Sequence, residues 1–320
     1  MTILDFKNLN VVYAAKEREV LAVDNVSFSI NRGDSLGIVG ESGSGKSTLA
    51  MGLLRLLPKD SAKVEGIAEF KGKDILALSE DEFNKIRWKE ISVVFQKSMN
   101  ALSPIHKIGS QFEDIYRVHN DKASKDEIKS RILKLFKLVN LAERVYNLYP
   151  HELSGGMLQR TSIALSLLHE PPLVILDEAT TALDVVTQGQ ILSEIKKLEK
   201  EIEMTRIMIT HDMSVVANSC DKVAVMYAGR LMEFGLVKDV IGNSKHPYTI
   251  GLLNAYPVLR GEKTDLKGIP GSLPDLSKRV QGCIFADRCS RTVDSCLKER
   301  PQCRELEQGH IVACHFAEVN

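Results

Sequence analysis

One stretch constrains this chain more than any other: Gly40-Glu41-Ser42-Gly43-Ser44-Gly45-Lys46-Ser47-Thr48. It fits the pattern G-x-x-x-x-G-K-S/T, a phosphate loop. Average residue usage would produce it by chance in a chain of this length only about one time in a hundred. The flanks agree. Ser35-Leu36-Gly37-Ile38-Val39 reads as a short buried strand, and Leu49 to Leu57 as a helix ended by Pro58. The glycines let the backbone curl until successive N–H groups point inward as an anion nest. The helix opening near Lys46 adds the positive end of its dipole. Lys46 supplies a point charge to the β- and γ-phosphates of a nucleotide, and the Ser47 hydroxyl can ligate Mg2+. The competing reading is a glycine-rich strand-to-helix turn with a chance Lys-Ser, and it leaves the agreement of motif and flanks unexplained.

At 320 residues the chain has room for two domains. Its 42 basic and 42 acidic side chains cancel, so no strong field for nucleic acid or an anionic membrane surface is implied. No apolar run comes near the roughly 18 residues that mark a membrane helix. Met1 to Lys16 lacks the apolar centre of a signal peptide. Of the six cysteines, all but Cys220 fall between Cys283 and Cys314. That clustering, in a long chain with no export signal, favours metal over disulfides.

Leu4 to Val12 and Val20 to Ile30 read as strands. This β-rich start leaves Tyr13 able to stack on a base, the alternative being a strand-end aromatic packed on the core. Val64 to Phe70 and Ile91 to Phe95 are further strands. The amide of Gln96, at the end of the second, can reach a metal-bound or attacking water, although a surface role is commoner for glutamine. From Lys97 to Pro150 the pattern is helical. Ser124 and Glu127 have capping-box spacing, and Ile128, Ile132, Leu135, Phe136 and Val139 share one face. In Leu153-Ser154-Gly155-Gly156, Ser154 stands at an N-cap with two glycines exposing backbone N–H groups. That makes a second anion site, or a plain helix cap.

Leu173-Val174-Ile175-Leu176-Asp177-Glu178 reads as a fully buried parallel strand ending in two acids. Asp177 can hold Mg2+ through water, and Glu178 can polarise an attacking water. Ala182-Leu183-Asp184 reads as a turn, Thr187 to Glu203 as an amphipathic helix and Arg206 to Thr210 as a strand. His211 at that strand's edge can bond a γ-phosphate oxygen or serve structure alone. Lys222 to Tyr227 and Leu231 to Phe234 form a hairpin. His246-Pro247-Tyr248-Thr249 opens a short helix, and Arg260 to Lys278, rich in Gly, Pro and Lys, reads as a linker.

In this order the motifs resemble the nucleotide-binding subunit of an ABC transporter, over roughly Leu4 to Gly242. The resemblance implies an α/β fold with a phosphate-loop ATPase core in residues 1–255. That core would have a mixed sheet, a β-rich N-terminal subdomain and a helical insertion at about 97–168. It implies that Tyr13 stacks on adenine and that Gly40, Ser42, Gly43, Ser44, Gly45, Lys46, Ser47 and Thr48 hold ATP. Ser47, Gln96 and Asp177 would serve Mg2+. Glu178 would be the general base, with Gln96 and His211 beside it, His211 as γ-phosphate sensor. Ser154, Gly155 and Gly156 would bind the ATP held by a second ATPase subunit, giving a head-to-tail dimer with two shared sites. Met157 stands where that family usually has Gln; backbone and Ser154 contacts survive the change.

The tail resembles the C-terminal extension of dipeptide/oligopeptide (and nickel) importer ATPases. The matching stretches are His246 to Thr249, Ile269-Pro270-Gly271-Ser272-Leu273-Pro274 and Gly282-Cys283-Ile284-Phe285-Ala286-Asp287-Arg288-Cys289, with Ile284 and Asp287 in place of usual prolines. Residues 256–320 would then form an extension with a small cysteine-rich domain. The partners implied are two membrane-spanning permease subunits, a second ATPase subunit and, indirectly, an extracytoplasmic peptide-binding protein. No nucleic acid is implied, and the place is peripheral, at the cytoplasmic face of the membrane. Nickel or another peptide-like substrate, or a soluble ABC ATPase acting outside transport, are the alternatives. The long coiled-coil arm and the doubled cassette of such soluble types are absent.

Cys283, Cys289, Cys296, Cys303 and Cys314 are too widely spaced for the short C-x2-C hairpins usual at zinc. Wide gaps suit a 4Fe-4S cluster held by four thiolates, with Zn2+, or disulfides or free thiols, as alternatives. The resemblance assigns Cys283, Cys289, Cys296 and Cys314, with Cys303 a spare or substitute ligand. A structural staple, or a redox sensor acting on the ATPase, are its two possible roles.

Overall fold

The computed structural model describes residues 1–15, 18–95, 102–179, 184–255, 268–307 and 309–317. The chain forms two compact units. One joins Met1–Ala77 to Met208–Asn320, and the other is Leu78–Ile207.

The first unit opens with an antiparallel sheet. Thr2–Ala15 pairs with Arg18–Asn31 on one side and with Ala62–Phe70 on the other. Val26, Phe28 and Ile30 are buried while Asn25, Ser27 and Ser29 face out, the period-two pattern of a sheet with one wet face. Phe28 packs edge-on to Phe6 at 5.0 Å and stacks on Phe234 at 5.4 Å. Phe234 belongs to Arg230–Leu236, which forms a hairpin with Lys222–Tyr227. Ala228 and Gly229 both take positive φ (48° and 83°), as a two-residue hairpin turn demands. Lys222–Tyr227 runs parallel to Ser35–Val39, a strand with every residue buried. Two tail strands follow on the other edge: His310–Val312 pairs with Arg230–Leu236, and Arg304–Glu307 pairs with His310–Val312.

In the second unit Ile91–Val94 lies parallel to the wholly buried Leu173–Asp177. Its helices include Ile108–His119, Lys125–Leu138, Gly155–Ser166 and Val185–Ile202. Ser124 caps Lys125–Leu138 by accepting from the Glu127 N–H at 3.2 Å. Ile128, Ile132, Leu135, Phe136 and Val139 are all buried, and Phe136 meets Phe112 edge-on at 5.5 Å. Arg206 pairs with Glu199 in the interior, where each charge offsets the other's lost hydration. The division between the units falls within strand Thr205–Thr210, after Ile207.

Candidate nucleotide site

The phosphate loop bridges strand Ser35–Val39 and helix Lys46–Leu53. Neighbouring backbone dictates two of its glycines. A Cβ on Gly40 (φ 152°) would collide with the Met226 carbonyl, and one on Gly45 (φ 94°) with the Ala22 carbonyl. Lys46 is 5% exposed. Its Nζ donates to Gly40 O and Glu41 O, each at 2.8 Å, and to Ser44 Oγ at 3.2 Å. The loop thus wraps around its own ammonium. Gly45 caps the following helix and, being glycine, offers no side chain of its own to the first-turn N–H groups. Ser42 and Ser47 are exposed, Thr48 is half-buried and Ser44 is fully buried.

Tyr13 is half-buried near the end of its strand, in register with Val20 and Ala62. His211 is exposed just after Thr205–Thr210, and Asp212 beside it caps Met213–Ser219 by accepting from the Ser214 N–H at 2.8 Å. Loop, Tyr13 and His211 belong to the first unit; Ser154, Asp177 and Glu178 belong to the second.

Asp177 ends its strand at 4% exposure. Glu178 then turns into the left-handed region at φ 48°, where non-glycine residues are uncommon and often functional. Ser154 caps Gly155–Ser166 through the Met157 N–H at 3.3 Å, so the Met found in place of Gln contributes backbone only to the cap. Ser154 and Gly155 lie exposed, with Gly156 half-buried behind them. Gln159, one turn further on, is buried and donates from Nε2 to the Ala179 carbonyl. It ties this helix to the turn that presents Glu178, a contact no sequence motif announced. Gln96, Ala182 and Leu183 lie outside the described residues.

The tail cysteines divide. Cys283, Cys289, Cys296 and Cys314 line one small cavity of about 20 Å3 together with His315. Burial, reinforced by the other three thiols, pushes the Cys283 thiol up to about 11. Cys303 is exposed and lines a different cavity with Arg300 and Asn8. Among the described residues no three His, Cys, Asp or Glu groups are placed to hold a metal ion. The expectation of a metal centre, iron-sulfur or zinc, is therefore not supported by this geometry: the four thiols converge without forming a ligand set. Cys220, by contrast, sits buried in the core.

A family model described as ABC transporter matches residues 23–181. Over 314 residues the chain is 44% identical to the oligopeptide transport ATP-binding protein OppD of Escherichia coli (strain K12), covering 98% of this chain and 92% of that one. This chain belongs to the ABC transporter family of ATP-binding subunits. The ATPase subunit also matches a model described as the C-terminal region of oligopeptide/dipeptide transporters, over residues 232–296. It is 40% identical to the dipeptide transport ATP-binding protein DppD of Caldanaerobacter subterraneus subsp. tengcongensis, over 99% of this chain and 97% of the relative. The cassette MJ0796, solved as a dimer, superposes on it with a TM-score of 0.68 at 32% identity, covering 73% of this chain and 99% of the cassette. A second structure of that cassette is a post-hydrolysis state bound to ADP and Pi. Among the described residues no helix of the ATPase subunit is long and apolar enough to cross a membrane.

Proposed function

We propose that this subunit hydrolyses ATP to drive import of di- and oligopeptides, from the cytoplasmic face of the membrane and through two permease subunits. The observation that carries this reading is the phosphate loop closed around Lys46, in a chain that aligns end to end with peptide-transport ATP-binding proteins. Lys46 exchanges its carbonyl partners for β- and γ-phosphate oxygens, and the first-turn N–H groups of Lys46–Leu53 hold the same anion. Tyr13 takes the adenine face. Ser47, Asp177 and Gln96 would hold Mg2+, which when bound neutralises charge on the phosphate oxygens. Glu178 accepts a proton from the attacking water. The new P–O bond forms as the bond from the γ-phosphorus to the bridging oxygen breaks, leaving ADP and phosphate. His211 contacts the γ-phosphate.

The exposure of Ser154 and Gly155 supports a site completed by a second ATPase subunit, whose triphosphate the helix N-terminus of Gly155–Ser166 would face. An extracytoplasmic peptide-binding protein would act through the permeases, and nucleic acid has no part. For the tail, the likeness of Cys283, Cys289, Cys296 and Cys314 to the cysteine pattern of importer ATPase extensions is what supports a 4Fe-4S cluster as a staple, with no step of hydrolysis passing through it. Anaerobic purification tests it: iron content and broad absorption near 400 nm are expected, and a colourless, iron-free protein would remove it. Copurification with two membrane subunits, together with ATP-dependent uptake of labelled peptide, tests the function.

A further inference from the structure

Glu41 is the second residue of the phosphate loop, an acid in a turn that must hold a polyanion. Arg288 grips it. Nη1 donates to Oε2 at 2.8 Å and Nη2 to Oε1 at 3.0 Å, a bidentate pair across 247 positions of sequence. Little of the Arg288 side chain, 6%, is exposed, against 28% of Glu41. The guanidinium is fixed from every side. Nε donates to Pro270 O at 2.7 Å, Nη2 to Ile269 O at 3.2 Å and Nη1 to Tyr227 Oη at 3.3 Å. It also lies 5.5 Å from the Tyr227 ring centroid. The backbone of Glu41 is held too: its N–H donates to Tyr248 Oη at 3.0 Å, and its carbonyl accepts from Lys46 Nζ. The described end of the segment that read as a linker therefore packs on the loop and on strand Arg18–Asn31. Leu273 Cδ1 would stand 3.2 Å from a Cβ on Gly43, and Leu276 O accepts from the Leu21 N–H at 3.3 Å.

We infer that Arg288, contributed by the C-terminal extension, is a positioning residue for ATP, neutralising the Glu41 carboxylate and anchoring the second residue of the phosphate loop. Without it a negative charge stands beside the incoming phosphates, and the loop loses the anchor on its second residue. Both effects weaken binding of the triphosphate, and the charge effect grows as salt is lowered. The inference rests on the nucleotide reading of the loop.

The test uses the full-length subunit in its transporter complex, with MgATP as the probe. Arg288→Ala should raise KM for ATP about tenfold, with a smaller change in kcat, the size expected for losing one charge-assisted pair. Adding Glu41→Gln to it removes the exposed charge and should return KM most of the way to wild type. Arg288→Lys keeps the charge without the fork and should fall between. An unchanged KM in Arg288→Ala, or a double variant as weak as the single one, would overturn the inference. Should the alanine protein fail to fold, a folded Arg288→Lys protein with a wild-type KM for ATP would overturn it as well. Lys46→Ala separates the two levels. If it too bound ATP like wild type, the phosphate-loop reading would fail and the inference with it.

Discussion

Lys46 Nζ lies 2.8 Å from the carbonyl oxygen of Glu41, inside the loop with which it would hold phosphate. The lysine is thus placed before any nucleotide arrives, and its carbonyl partners are ones a phosphate oxygen can replace. Lys46→Ala removes both the point charge and the clasp. MgATP affinity should fall by at least about tenfold. Isothermal calorimetry on the purified subunit reads it directly, and unchanged heats would count against the role.

Glu178→Gln keeps the size and the turn at φ 48° but removes the base. ATP should still bind, turnover should fall by about a hundredfold or more, and a dimer should accumulate with ATP bound. Size-exclusion chromatography with and without MgATP follows the dimer. A variant that stays monomeric in ATP would argue against a shared site.

Gly45→Ala places a methyl group against the Ala22 carbonyl at a φ of 94°. Strain of about 1–3 kcal/mol is expected. A lower melting temperature together with weakened ATP binding is the predicted result, because the loop and the strand that carries Ala22 are distorted together.

Acid should loosen the first unit through His246. Burial pushes this imidazole down to about 4 from its ordinary 6.5, while its Nδ1 accepts from the Tyr248 N–H at 3.0 Å. The unfolded chain takes up a proton below about pH 6.5 and the folded chain only below about 4. Stability is therefore complete above 6.5 and falls as pH drops between those values, by up to about 1.4 kcal/mol per pH unit. His246→Asn keeps a helix-capping acceptor and removes the titration. Its melting temperature should change less between pH 7 and pH 4.5 than that of the wild type.

The phosphate loop, the buried acidic strand and the amphipathic helices were legible because each depends on local pattern: glycine spacing, an apolar run, a 3.6-residue period. What was missed depends on distant partners. Ile269 to Leu276 looked like a linker from its glycines and prolines, yet it docks through the Ile269 and Pro270 carbonyls, Leu273 and Leu276, contacts that composition cannot reveal. Arg304–Glu307 carries three charges in four residues and pairs only at an edge, so nothing in it reads as a strand. Asp184 read as part of a turn and proves to be the cap of Val185–Ile202, accepting from the Thr187 N–H at 2.9 Å. Glu233 is fully buried because His310 Nε2 (2.8 Å) and the backbone N–H groups of Lys245 and His246 surround it, a satisfaction visible only once the tail has folded back.

The most direct test is peptide uptake by the complete transporter in sealed vesicles, with ATP supplied on the side of this subunit. The account predicts uptake that requires ATP hydrolysis and disappears with Glu178→Gln, while the complex still assembles. Undiminished uptake by the Glu178→Gln transporter would contradict it.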